Sequence, residues 1–288
     1  MKQVQGLRLK FTVIGSLLLA YFVLLYLAVF LCERVFCIDI GWGYLGAAAI
    51  TLLILFRWSW TGCTLAQFCK REKPMRGSAF LLFCCLLLTC QFFFQITSWI
   101  ALSVSGDVAS NMIHQATSSG NTLPMFIYVW VIAPVVEEVV FRGLAQGKLI
   151  DYGKGKCFGI LCSALIFGLF HVNPIQIPFA FFIGLVLGYV AAEYSVLWAV
   201  ALHLVNNFVF GGLIGMLKPA WLEQLVYFAL TWGGGLFGIW ILVKNRKRLI
   251  GYWKCKPVEW SNFAAFITSP GIMLLSIVVM VSMFLIML

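Results

Sequence analysis

The chain has 288 residues, of which 62% are hydrophobic and only 10% charged, against about 25% charged in an ordinary soluble domain. Mean hydropathy is +1.00. These values exclude a soluble globular enzyme, a disordered chain and a collagen-like fibre. The absence of period-two alternation excludes a transmembrane barrel. What remains is an all-α, polytopic bundle of transmembrane helices.

A span needs about 20 apolar residues. In chain order the apolar runs are 11–31, 41–56, 78–102, 124–142, 157–171, 177–192, 196–216, 221–243 and 270–288. The fifth and sixth are short, so eight or nine spans are expected. No small-residue cleavage site follows the first run, which is therefore read as a span and not as a signal. The segment 57–76 mixes Trp, Phe and basic residues and is expected along the cytoplasmic interface. The segment 103–123 is the longest polar stretch. It reads as an outer loop with His114 solvated in it. Pro74, Pro124, Pro174 and Pro270 sit near run ends, whereas Pro134 lies inside the fourth run and should kink it. Cys84, Cys85, Cys90 and Cys162 lie in apolar runs and act as small hydrophobes. Cys32 and Cys37 could bridge on an outer loop, but nothing requires it.

The charges divide into 20 basic and 10 acidic residues, a net +10. With a cytoplasmic N-terminus, the inner segments carry all the basic residues except Arg34, Lys218 and Arg142. Arg34 and Lys218 fall outside, and Arg142 lies within the membrane domain. This obeys the positive-inside rule and predicts N-in, C-out. The run from Lys244 to Arg248 then faces anionic lipid headgroups and not nucleic acid. Of the acids, Glu33, Asp39, Asp107 and Glu223 fall on the outer side and Glu72, Asp151, Glu193 and Glu259 near the inner side. Only Glu137 and Glu138 lie in apolar sequence.

Ionisable groups in a span are expensive, at least about 2.5–3.5 kcal/mol each on insertion scales, and mark function. Three clusters break the apolar pattern. The first is Glu137-Glu138-Val139-Val140-Phe141-Arg142. Glu138 and Arg142 are i,i+4 and pair on one face. Glu137 points about 100° away and keeps no local cation. A carboxylate out of water takes up a proton more readily, as a general base requires. The second cluster is Phe167-Gly168-Leu169-Phe170-His171. The third is His203-Leu204-Val205-Asn206-Asn207, where His203 and Asn207 share a face and Asn206 points elsewhere. At 1.5 Å per residue, Glu137, His171 and His203 lie about 20, 21 and 12 Å from the cytoplasmic helix ends, so they can meet in the inner half of the membrane.

That inventory suits activation of a water. Glu137 would take its proton, His171 would help hold it, and His203 and Asn207 would donate to the developing oxyanion. No serine or cysteine has a matching base, which disfavours covalent catalysis. A bound zinc on Glu137, His171 and His203 stays open, although HExxH is absent. Gly184 and Gly188 form GxxxG and predict close helix packing. Gly211-Gly212 and Gly233-Gly234-Gly235 serve packing, a kink or a lateral gate.

At these residues the chain resembles the CPBP (Abi) family of CAAX-protease and bacteriocin-processing intramembrane endopeptidases. The pattern is EExxxR, FxxxH and HxxxN, here Glu137-Glu138…Arg142, Phe167…His171 and His203…Asn207. The stretch GLVLGYVAAEYSVLWAVALHLVNN is also similar, and the resemblance covers about 120–215. It implies hydrolysis of a membrane-associated or lipidated peptide or protein. Glu137 and His171 would activate water, His203 and Asn207 would hold the oxyanion, and Glu138, Arg142 and Phe167 would support them. The family has been described both as metal-dependent and as glutamate-dependent, and the spacing favours the second, with no cofactor. CAAX processing, bacteriocin or pheromone maturation, and immunity are the roles implied, in a bacterial cell membrane. The organisation expected is N-terminal helices over 1–119, a catalytic core over 120–216 and C-terminal helices over 217–288. The rival readings are a non-enzymatic immunity or binding protein and a proton-coupled transporter.

Orientation is testable directly. An epitope tag at the N-terminus should meet antibody only after cells are permeabilised, and a C-terminal tag should meet it on intact cells. Staining of both ends on one side overturns the N-in, C-out reading.

Overall fold

The computed structural model describes residues 2–57, 72–117, 122–255 and 258–287. All elements found there are helices: α1 Lys2–Phe30, α2 Ile40–Arg57, α3 Gly77–Thr117, α4 Leu123–Tyr152, α5 Lys156–Leu169, α6 Gln176–Glu193, α7 Val196–Met216, α8 Ala220–Lys244, α9 Arg246–Cys255, α10 Trp260–Ile267 and α11 Pro270–Met287. Without water to bond, backbone groups in a bilayer are satisfied inside helices. Among the described residues, six helices are long and apolar enough to cross a membrane, or seven if the pair α10–α11, bent by 58°, crosses as one broken span. Two shorter apolar helices fall within α2 and α5. Each apolar run of the sequence therefore forms a helix. The large residues left exposed include Leu53, Leu81, Trp99, Trp240 and Phe284. An apolar outer surface of this kind suits lipid and not water.

Two sequence expectations need correction or limits. Residues 103–117 are not a loop. They continue α3 as helix, bent at Gly106, whose φ of +42° only glycine adopts readily. The stretch is polar in places yet rich in residues that tolerate helix, so polarity alone misread it. Most of the segment expected at the cytoplasmic interface, 58–71, lies outside the described residues. Cys32 and Cys37 are free thiols.

The helices pack through aromatic and small residues. Phe11 of α1 stacks on Phe158 of α5 at 5.7 Å and meets Phe266 of α10 edge-on at 5.6 Å. Gly15 and Gly271 let α1 and α11 touch backbone to backbone. A Cβ on Gly271 would collide with the Thr12 carbonyl, and one on Gly15 with Gly271 itself. In α6, Gly184 lies against Ala164 and Phe167 of α5, and Gly188 against Ile160 and the Gln146 side chain.

The basic segments gather at one end. Glu193, at the end of α6, bonds Lys73 at 2.9 Å and Lys156 at 3.0 Å, and accepts from the Tyr252 hydroxyl at 3.1 Å. Lys10 sits over the Tyr152 ring at 4.9 Å, and Arg8 donates to Thr268 O at 2.7 Å. The segments that the sequence grouped on one side thus meet in space.

Gly271→Val tests the α1–α11 contact. Overpacking against backbone should destabilise by about 1–3 kcal/mol or more. A lowered thermal midpoint in detergent is expected, and an unchanged midpoint would show that the crossing is not as close as described.

Candidate active site

The site sits where α4, α5, α6 and α7 meet, walled on its far side by α1 and α2. It is built upward from one ion pair. Glu138 and Arg142 lie one turn apart on α4, both with fully buried side chains, and Arg142 Nη1 stands 3.0 Å from Glu138 Oε1. This is an ion-pair contact, not an aligned hydrogen bond. The guanidinium lies over the Phe167 ring at 4.3 Å, and its Nη2 reaches Gly184 O at 3.4 Å. One turn on, Gln146 donates to Gly188 O at 2.8 Å. The two glycines of α6 keep those carbonyls within reach of α4.

Glu138 does more than neutralise Arg142. Its Oε1 also takes His203 Nδ1 at 2.9 Å. An ionised carboxylate only accepts, so the bond puts a proton on Nδ1. His203 Nε2 is then turned toward Glu137 Oε2, 3.8 Å away. The sequence left Glu137 without a local partner, and the structure brings this imidazole beside it from α7. The Glu137 side chain is 21% exposed while that of Glu138 is fully buried. Glu137 is therefore the carboxylate that opens to the cavities.

His171 is fixed from below. Its Nδ1 lies 2.9 Å from the Phe167 carbonyl, which again places the proton on Nδ1 and leaves Nε2 with a lone pair. The turn that follows is anchored twice. Asn173 accepts from the amides of Ile175 and Gln176 and donates to Met112 O at 2.8 Å. Between them, buried Val172 holds φ +51°, a conformation β-branched residues rarely take. Such strain persists only where surrounding bonds fix it. Phe167 links the parts. Its ring meets His171 edge-on at 4.9 Å and His203 at 5.8 Å.

Two cavities meet at Glu137, His171 and Phe167. One, of about 180 Å³, is walled by aromatic residues of α1 and α2, among them Tyr21, Phe22, Tyr26 and Tyr44, with Tyr128 and Phe170. The other, of about 250 Å³, is lined by Met125, Gln176, Phe179, His203, Asn206 and Asn207. Tyr44 and Tyr128 stack at 4.6 Å and line both.

The asparagines differ from expectation. Asn206 does not point elsewhere. It is buried, lines the second cavity and donates to Asn207 Oδ1 at 2.9 Å. Residues Val205–Leu213 form a π-helical segment, whose wider turn brings successive side chains closer in direction. Asn207 Nδ2 donates to Val129 O at 3.1 Å. That carbonyl is free for a reason. Tyr128–Ile132 is also π-helical, and Ala133 N bonds Tyr128 O. The next donor in this i→i−5 series would be residue 134, a proline with no N–H. The kink expected from Pro134 therefore takes the form of a π segment and an orphaned carbonyl. One of the two hydrogens on Asn207 Nδ2 remains for another acceptor.

Among the described residues, no three His, Cys, Asp or Glu side chains are placed to hold one metal ion. The sequence reading missed the tyrosine wall, Asn206 and Gln91, which bonds Asn206. Gln91 had a signal, since it is a polar residue inside an apolar run.

The buried pair can be tested by stability. Arg142→Met takes the cation from buried Glu138 and leaves it only the bond from His203 Nδ1, which should cost about 3–5 kcal/mol. The double change Glu138→Leu/Arg142→Met should recover only part of that, because an apolar pair replaces an ionic one while buried His203 Nδ1 loses its acceptor. Melting in detergent checks both, and a double variant as unstable as the single one would show that the charges are not coupled.

No match is found among curated proteins or among solved structures. Residues 119–209, which hold the EExxxR, FxxxH and HxxxN motifs together, match the family model for Rce1-like type II CAAX prenyl endopeptidases.

Proposed function

We propose that the protein is an intramembrane endopeptidase that hydrolyses a peptide bond of a membrane-associated, prenylated protein or peptide, with Glu137 as base. The observation that carries this is the pairing at the junction of the cavities. Glu137 offers a carboxylate and His171 an Nε2 lone pair, both facing the same space. Together they accept the two hydrogens of one water and leave its lone pair for a carbonyl carbon.

The step balances as follows. The water oxygen bonds the carbonyl carbon while Glu137 takes a water proton. The carbonyl electron pair moves to its oxygen. His203 Nε2 and the spare Asn207 hydrogen donate to that oxygen. Since Nδ1–H is committed to Glu138, His203 donates from Nε2 only as imidazolium, and Glu138 supports that charge. Collapse expels the amine, which leaves with the proton from Glu137. No metal enters the scheme.

Size bears on the substrate. A cavity of about 150 Å³ holds a benzene. The aromatic chamber of about 180 Å³ therefore takes one side chain and not a prenyl chain. The lipid would lie against the outer surface or in the second cavity. On this reading the site lies in the inner half of a bacterial cell membrane, toward the side where the basic segments gather. The matched family is one of CAAX processing, so bacteriocin or pheromone roles are not carried further.

The test uses purified protein in nanodiscs and a quenched peptide ending in a prenylated CAAX sequence. Wild type should cleave, and Glu137→Ala should lose about 10²–10⁴-fold in kcat, the range for a general base. Equal cleavage by the variant overturns the mechanism. Activity that returns only with added zinc after chelation overturns the metal-free form.

A further inference from the structure

Three amides run in series from α3 to the cavity. Gln91 Nε2 donates to Asn206 Oδ1 at 3.1 Å, Asn206 Nδ2 to Asn207 Oδ1 at 2.9 Å, and Asn207 Nδ2 to Val129 O at 3.1 Å. Gln91 lies outside the stretch that matches the family. Each side-chain amide has an acceptor end and a donor end, so the chain has a direction. That direction is set at the far end. A backbone carbonyl only accepts, so Asn207 must turn its NH2 to Val129. Its oxygen then faces Asn206, which must present its own NH2. The Asn206 oxygen therefore faces α3, where only a donor can satisfy it.

We propose that Gln91 is a positioning residue whose donor end completes this amide chain in the direction that Val129 O sets, so that Asn207 presents a hydrogen and not an oxygen to the cavity. The inference rests on the reading of Asn207 as an oxyanion donor. A carboxylate at position 91 conflicts with the chain in either direction. With the asparagines as they stand, it faces the Asn206 oxygen. With both reversed, the Asn207 oxygen meets Val129 O, and an acceptor lines the cavity. Only a protonated carboxyl, which donates as the amide did, fits.

The test compares Gln91→Glu with Gln91→Met on the prenylated quenched peptide in nanodiscs, with wild type and Asn207→Ala alongside. Losing an oxyanion donor lowers kcat by about 10²–10³-fold. Gln91→Glu should approach that loss near neutral pH with KM little changed. Gln91→Met, which is apolar and similar in length, should lose less. As pH falls and the new carboxyl takes up a proton, Gln91→Glu should gain relative to wild type, and Gln91→Met should not. The cavity also contains Glu137, His171, His203, Tyr44 and Tyr128. They are common to all the proteins, so the ratio to wild type removes their titration. Equal kcat for the two Gln91 variants at every pH would show that Gln91 only packs, and the inference fails. Wild-type kcat in Asn207→Ala overturns the oxyanion reading instead. Failure of wild type to cleave overturns the protease reading and this inference with it.

Discussion

A guanidinium and a carboxylate inside an apolar bundle are tolerable only if each meets opposite charge, and the Glu138–Arg142 contact at 3.0 Å is where this happens. Apolar residues in their place would suit the bundle equally well, so the pair is weak evidence for stability. What it does supply is a fixed negative oxygen on one side of His203. That oxygen sets which ring nitrogen carries hydrogen, and thereby which nitrogen faces Glu137. The rest of the arrangement follows from this. Glu138 is spent on orientation, and Glu137 is left for the cavity. Two adjacent carboxylates have different roles because one is held by a cation and the other is not.

Phe167 explains why an aromatic ring belongs one turn before His171. Its face receives the Arg142 guanidinium, its edges meet both imidazoles, and its carbonyl holds His171 Nδ1. A cation over a ring gains about 0.5–1 kcal/mol or more where water is absent. An aliphatic side chain there would keep the carbonyl bond but lose the floor under the guanidinium. The glycines of α6 act in the same service from the other side, since Gly184 and Gly188 keep their carbonyls within reach of Arg142 and Gln146.

Much of this was legible in the sequence because it depends on local spacing. Each apolar run forms a helix, and the Glu138–Arg142 pair follows from i,i+4 geometry. Burial singled out Glu137, His171 and His203 as polar residues in apolar runs. Other features depend on what the spacing does not encode. The aromatic chamber exists because α1 and α2 dock beside Glu137, and nothing local announces that contact. Asn206 was misread because an α-helical turn was assumed where the chain takes a π turn. The 103–117 helix was misread because polarity was taken for a loop, although Met112 O is the acceptor that anchors the turn after His171.

The π turns are connected to the chemistry by hydrogen-bond supply. A regular helix uses every interior carbonyl internally and offers none to a side chain. Three π segments, Tyr128–Ile132, Glu138–Gln146 and Val205–Leu213, lie in the two helices that carry Glu137 and His203. Pro134 follows the first and removes the donor that Val129 O would have received. In lipid, an orphaned carbonyl costs several kcal/mol and must find a partner. Asn207 is that partner, so a backbone defect and a candidate catalytic amide satisfy each other. The same bond that repairs α4 thus sets which end of Asn207 faces the cavity.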